Sequence, residues 1–131
     1  MSNKKRAIDW LKQAQNDYKY ANQGLAGGYY SQVCFISQQS AEKAIKAIAY
    51  YHEYQIKGHS IAKIAKSIGI NSEIESAGKR LDLYYISARY PDALPEGAPF
   101  EFFSKEQAKA ALDDAELILK RSFFELNYEE W

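Results

Sequence analysis

Residues 86–95 read ISARYPDALP, and the chemistry open to this stretch rests on Arg89, with Tyr85 and Tyr90 near it and Asp92 just beyond Pro91. Two readings stand side by side. In one, the planar guanidinium takes a phosphate through parallel N–H bonds, a tyrosine stacks on a base, and Lys43 and Lys46 add positive potential. In the other, Arg89 is a cation well placed at a helix C-terminus, and Asp92 pairs with it across the proline turn. A second polar set lies in ISQQSAEKAIKAIAY, residues 36–50, where Gln38 stands four before Glu42, and Gln39 stands four before Lys43 and seven before Lys46. Such rows are commonly the solvated flank of a helix, and that is the favoured reading here. Amides beside small residues also bond across helices or hold a partner. The two histidines, His52 and His59, read as solvated or capping side chains, His59 standing just before a predicted helix.

Other chemistries lack their motifs. There is no glycine-rich phosphate loop, Gly-x-Ser-x-Gly elbow, His-Glu-x-x-His pair or Glu-x-x-His pair, so P-loop, serine-hydrolase, zincin and di-iron signatures are missing. Cys34 is the only cysteine, which excludes an internal disulfide and a cysteine-held zinc, and fits a reducing compartment and a buried, inert thiol. No metal and no cofactor are expected. Net charge is zero but uneven: residues 1–42 carry 5 basic and 3 acidic side chains, 43–91 carry 8 and 4, and 92–131 carry 4 and 10. A polyanion would therefore meet a local patch in the first two-thirds; the plainer alternative is that opposite charges meet between helices or subunits. No apolar run has signal-peptide or bilayer-spanning length, so no membrane contact is expected and the expected location is the cytoplasm.

The elements that must position these residues follow from apolar spacing. Trp10, Ala14, Tyr18, Ala21 and Leu25 make the stripe of a helix over residues 8–25, ended by Gly24 and the Gly27–Gly28 pair. Tyr30, Cys34, Ser37, Ala41, Ala44, Ile48 and Tyr51 make a second, whose small central residues admit another helix and whose stop is expected near Gly58. Ile61, Ile64, Ala65 and Ile68 predict a short helix closed by Gly69. Ser72 and Glu75 have capping-box spacing ahead of a helix through Ile74, Ala77, Leu81, Tyr84 and Ala88, which Pro91 must end by forcing Tyr90 out of the helical region. Residues 91–103 hold all three prolines and Gly97 and read as a long loop; Ser104 and Gln107 then cap a final helix running toward Phe123. With 131 residues, 47% hydrophobic and 26% charged, the chain suits one domain over residues 1–131. The predicted fold is all-α, an antiparallel up-and-down four-helix bundle with one additional short helix. Eleven tyrosines suit either packing at a half-wet interface or stacking on a base.

The order GYYSQVCFISQQSAEKAIKAI, GHSIAKI and ARYPD ahead of the last helix resembles the HEPN domain family over nearly the whole chain. The resemblance implies a helical bundle that forms homodimers. It also implies a separately encoded minimal nucleotidyltransferase as partner, in toxin–antitoxin or related complexes. Many such proteins are metal-independent ribonucleases whose motif is an arginine, four to six residues, then a histidine, joined across a dimer cleft. Arg89 takes the arginine position, but Leu94, Pro95 and Glu96 stand where the histidine should fall. Proton transfer to and from a ribose hydroxyl needs a group that titrates near neutrality, which arginine does not. The expectation is therefore a non-catalytic, dimeric subunit that binds a nucleotide, RNA or its partner, with a ligand site drawn from Arg89, Tyr85, Tyr90 and Asp92 together with Gln38, Gln39, Glu42, Lys43, Lys46 and His59. Two alternatives remain: a divergent ribonuclease that pairs Arg89 with His59 or a tyrosine, and a structural oligomerisation module in which the tyrosines and the Phe123–Phe124 pair cover an interface.

Overall fold

Gly28, in the left-handed region at φ 81°, and Tyr29 reverse the chain between its first two helices, which fixes them as antiparallel neighbours. The computed structural model describes residues 2–129 and Trp131. Helix α1 (Ser2–Gly27) and α2 (Tyr30–Tyr51) form that hairpin, and α6 (Lys105–Glu125) packs on both. Helix α4 (Ser72–Asp82) lies against α2 and α6, continued by the short α5 (Tyr84–Ser87), while α3 (Ile61–Ser67) sits on α4 and α2. The fold is thus the expected all-α bundle, with α1, α2, α4–α5 and α6 as its four members and α3 as the extra helix. Among the described residues no strand occurs, and no helix is long and apolar enough to cross a membrane.

Leu11, Ile45, Ile48, Ile61, Leu81, Ile118, Leu119 and Leu126 are all fully enclosed in one apolar cluster, each side chain stabilising by about 1.5–3 kcal/mol relative to exposure. The small seam of α2 behaves as its composition requires. Ser37, Ala41 and Ala44 are buried, and the neighbouring Ser40 hydroxyl donates to the Ala14 carbonyl at 2.6 Å, so the α1 and α2 backbones run close. Cys34 lies in the same wall, and burial pushes its thiol up to about 12, which leaves it inert at neutral pH. The opposite charges expected to meet between helices do so where Arg80 of α4 grips Asp114 of α6 through two 2.9 Å bonds.

Several local expectations are corrected. The core face of α1 is Ala7, Leu11, Ala14 and Ala21, with Trp10 only half-buried and its ring 5.2 Å from that of Tyr50; Gly24 lies inside the helix. Helix α2 stops at Tyr51, well before Gly58. There the His52 and Tyr54 N–H groups close on the carbonyls of Ile48 and Ala49, and Glu53 takes the left-handed turn at φ 62° in place of a glycine. Asn71, one residue ahead of the expected Ser72, caps α4 by accepting the Ile74 N–H at 3.1 Å, as the strong N-cap preference of asparagine allows. The helix toward Pro91 is interrupted at Leu83, where the Ser87 hydroxyl donates to the Leu83 carbonyl at 2.7 Å; such back-bonding bends helices. Tyr90 is extended before Pro91, as predicted, but residues 91–103 contain two 3-10 turns, Pro91–Ala93 and Pro99–Glu101. The Ser104–Gln107 capping box forms as expected. Phe123 belongs to the core and only Phe124 faces outward, so the pair does not cover a surface together.

A methyl at Gly78 would lie 2.8 Å from Ile61 Cγ2 and 2.9 Å from the Ala62 nitrogen, so the first turn of α3 rests directly on the α4 backbone. Gly78→Ala would gain about 1 kcal/mol in helix propensity and lose about 1–3 kcal/mol to overpacking against main chain. The expected result is a lower urea midpoint; a raised midpoint would show that α3 does not seat there.

Candidate functional site

Asp82, at the end of α4, holds α3 in place. Its carboxylate accepts the Ile61 N–H at 2.9 Å, the Ala62 N–H at 3.1 Å and the Ser60 hydroxyl at 2.8 Å. A carboxylate at a helix N-terminus satisfies donors the helix itself leaves open. That docking brings His59 onto α2. The Gln38 side chain, fully buried, donates to the His59 carbonyl at 3.1 Å and reaches toward Glu42 and Asp82 at 3.4 and 3.5 Å, while Gln39 donates to Gln38 Oε1 at 2.8 Å. Glu42, also buried, takes the Lys46 ammonium at 2.8 Å and lies 3.1 Å from His59 Nδ1. The imidazole stacks on the Tyr85 ring, centroids 4.8 Å apart and planes 17° from parallel.

The Arg89 guanidinium sits over three rings, 4.2 Å from the centroid of Phe35, 4.8 Å from Tyr90 and 4.9 Å from Tyr85. Its Nε donates to the Tyr85 carbonyl at 2.9 Å and Nη1 to the Tyr90 hydroxyl at 3.3 Å. A pocket of about 340 Å³ opens on this group, lined also by Ser31, Gln32, Tyr20 and Phe100. It runs on through Tyr20, Gln32 and Ile36 into a groove of about 420 Å³ between the end of α1 and the start of α2. The rings on this surface are open to solvent, Tyr20 at 65% and Phe100 at 69% exposure.

The predicted residues therefore fall into two joined groups and two outliers, Lys43 and Asp92. Arg89, Tyr85 and Tyr90 come together, and Tyr85 also carries His59 and through it Glu42, Gln38 and Lys46. Lys43 turns away to pair with Asp17 of α1, so it adds no potential at Arg89, and Lys46 is neutralised by Glu42. Asp92 forms no ion pair with Arg89 among the described residues, where aromatic faces take the carboxylate's place. The solvated flank expected for Gln38 and Glu42 is instead a buried cross-helix network. His59 is no mere cap, because its ring is fixed by a carboxylate and a tyrosine.

Spacing carried a signal that periodicity reading missed: Phe35, Gln38, Glu42 and Lys46 repeat at three, four and four residues beside the apolar stripe. Gly78 and Asp82, four apart on the buried side of α4, carried another. Nothing in the local sequence marks Tyr20 or Phe100 as lining the pocket beside Arg89. No group of three or more histidine, cysteine, aspartate or glutamate side chains is arranged to hold a metal among the described residues.

Comparison with known proteins agrees with this architecture. Residues 7–125 match the family profile described as the HEPN domain. By sequence, the chain is 27% identical over 131 aligned residues to the candidate toxin MJ1304 of Methanocaldococcus jannaschii, covering 90% of this chain and 86% of that one. By structure, it is similar to TT1696 from Thermus thermophilus, with a TM-score of 0.87 and 35% identity over 92% of this chain and 98% of the other. It is similar also to ST0689, an archaeal HEPN homologue, at 0.82 and 35% over 92% and 97%. For a HEPN domain protein of Thermotoga maritima the values are 0.73 and 29% over 91% and 98%.

Removing the Asp82 carboxylate strands two N–H groups at the start of α3. Asp82→Ala is expected to cost about 2 kcal/mol of stability and to speed amide exchange at Ile61 and Ala62. Unchanged exchange at those two positions would mean that the helix start is held by something else.

Proposed function

The chain belongs to the HEPN domain family, and on that premise we propose that it is a homodimeric, toxin-system protein that holds a nucleotide or RNA phosphate on Arg89. In this reading it partners a separately encoded nucleotidyltransferase and does not itself cut the strand. One observation carries it. Arg89 is a half-buried cation over three rings, without a carboxylate partner among the described residues, and a pocket opens onto it. A desolvated guanidinium held by π faces still gains from an anion. The pocket also offers what the rest of a nucleotide needs: the rings of Tyr20 and Phe100 for stacking and the Gln32 amide for a polar edge.

The toxin-system part is supported by the relative named as a candidate toxin. The nucleotidyltransferase enters as the partner that the resemblance to the HEPN family implies. Exposed Tyr20 and Phe100 line the pocket and exposed Tyr29 the adjoining groove, which supports a second copy that meets this face across the ligand cleft. The absence of cleavage rests on Leu94, Pro95 and Glu96, which stand where the ribonuclease motif has its histidine.

A second reading, metal-independent RNA cleavage, is favoured by one specific observation: His59 reaches Tyr85, and so the neighbourhood of Arg89, from a different segment. The two readings separate in one assay. Arg89→Ala is expected to weaken binding of a fluorescent RNA oligonucleotide by about ten-fold or more with helical circular dichroism retained, and RNA incubated with the protein and EDTA stays intact. Equal affinity in the variant would remove Arg89 from the site; RNA cleavage that disappears in both Arg89→Ala and His59→Ala would replace the first reading with the second.

A further inference from the structure

We propose that the end of α2 carries a second binding site, apart from the Arg89 surface, that takes an organic cation of the alkylammonium class. A hollow of about 420 Å³ opens there, lined by Trp10, Tyr50, Tyr54, Glu53 and Arg6. It shares no lining residue with the Arg89 pocket, whose last α2 residue is Ile36, and the helix from Ile36 to Tyr50 is about 20 Å long. Three features favour a positive charge here. The first is aromatic: the Trp10 and Tyr50 rings meet at 51° with centroids 5.2 Å apart, and the exposed Tyr54 ring beside them is set edge-on against His52. The second is the Glu53 carboxylate, with which no side chain pairs among the described residues. Glu53 is held at φ 62° in the turn that closes α2, where its N–H donates to the Tyr50 carbonyl at 3.1 Å and the Tyr54 N–H to the Ala49 carbonyl at 2.9 Å. Glycine fits that position without strain, so a charged side chain sits there against the backbone preference. The third is the helix itself, since α2 presents the negative end of its dipole here and has no basic residue in its last turn.

Arg6, also on the rim, bonds Asp9 of its own helix at 2.9 Å, so its charge is offset and its guanidinium is directed along α1. The kind of cation follows from the lining. A metal ion needs several oxygen ligands, and only one carboxylate lines the hollow. A bare ammonium keeps its water and leaves the rings unused. Methyl groups around the charge let one ligand use the aromatic faces, the carboxylate and the helix end together. A free alkylammonium compound and a methylated lysine side chain of a partner share this chemistry.

The test is a nuclear magnetic resonance titration of the full chain with choline chloride, with its uncharged isostere in which a tert-butyl group replaces the trimethylammonium, and with sodium chloride as the control for ionic strength. Choline is expected to shift the Trp10 indole N–H and the amides of Glu53 and Tyr54 with about millimolar affinity, and the isostere to bind about ten-fold more weakly. Glu53→Gln, which keeps the length of the side chain, and Tyr54→Ala are each expected to weaken choline by about three-fold with helical circular dichroism retained; Glu53→Gln decides alone if Tyr54→Ala does not fold. A trimethyllysine peptide that binds more tightly than choline and than its plain-lysine counterpart would support the site with a partner's side chain as the source. Choline binding at least as tightly as that peptide would support it with a free ligand. Equal shifts from the isostere, the same shifts from sodium chloride, shifts confined to other residues, or an affinity that the variants leave unchanged would each overturn the inference. The reading of Arg89 stands or falls separately, on the oligonucleotide assay.

Discussion

The carboxylate of Asp82 at the start of α3 is the contact on which the candidate site depends. It accepts two main-chain N–H groups and a hydroxyl from Ser60, Ile61 and Ala62, and one turn earlier Gly78 leaves no side chain between α4 and those residues. A seven-residue helix has little stability of its own, so its position is set from outside. With its start fixed on α4, the segment leading into it has to cross α2, and His59 is the residue at the crossing. Gln38 bonds its carbonyl and Glu42 its ring. Side chains that would be costly to bury alone are tolerated as a set, because each donor meets an acceptor.

Around that anchor the surface is built from rings. Phe35, Tyr85 and Tyr90 carry the Arg89 charge, and Tyr85 also backs His59. The aromatic faces do for Arg89 what a carboxylate does elsewhere in this chain for Arg80, Lys43 and Lys46. The difference matters chemically. A carboxylate neutralises a cation, whereas a π face stabilises it and leaves its affinity for an anion in place. The basic residues nearest in sequence to the polar row of α2 do not contribute, being paired internally.

The helices were legible because their cause is local. Alternating three- and four-residue spacing marked α2, α3, α4 and α6, and the Ser104–Gln107 box marked the start of α6 to the residue. Where several residue types could serve the same role, the reading slipped by position: Asn71 rather than Ser72 caps α4, and Glu53 rather than a glycine turns the chain after α2. The site was half legible. Arg89 and its tyrosines share one segment and stood out, as did the Gln38–Glu42 pair. Their connection through His59 was not visible, since it is made by α3 seating on α4 across residues far apart in sequence. Asp92 illustrates the reverse error, because adjacency across a proline suggested an ion pair that three aromatic rings make unnecessary.

The most direct measurement is the protonation pattern of the His59 ring, read from long-range proton–nitrogen correlation spectra of histidine-labelled protein at about pH 8, where an ordinary imidazole is neutral. The expected result is a proton on Nδ1, where the Glu42 carboxylate can accept it. A proton on Nε2 alone, or a mixture like that of a free imidazole, would contradict it, because the ring would then not be held by Glu42.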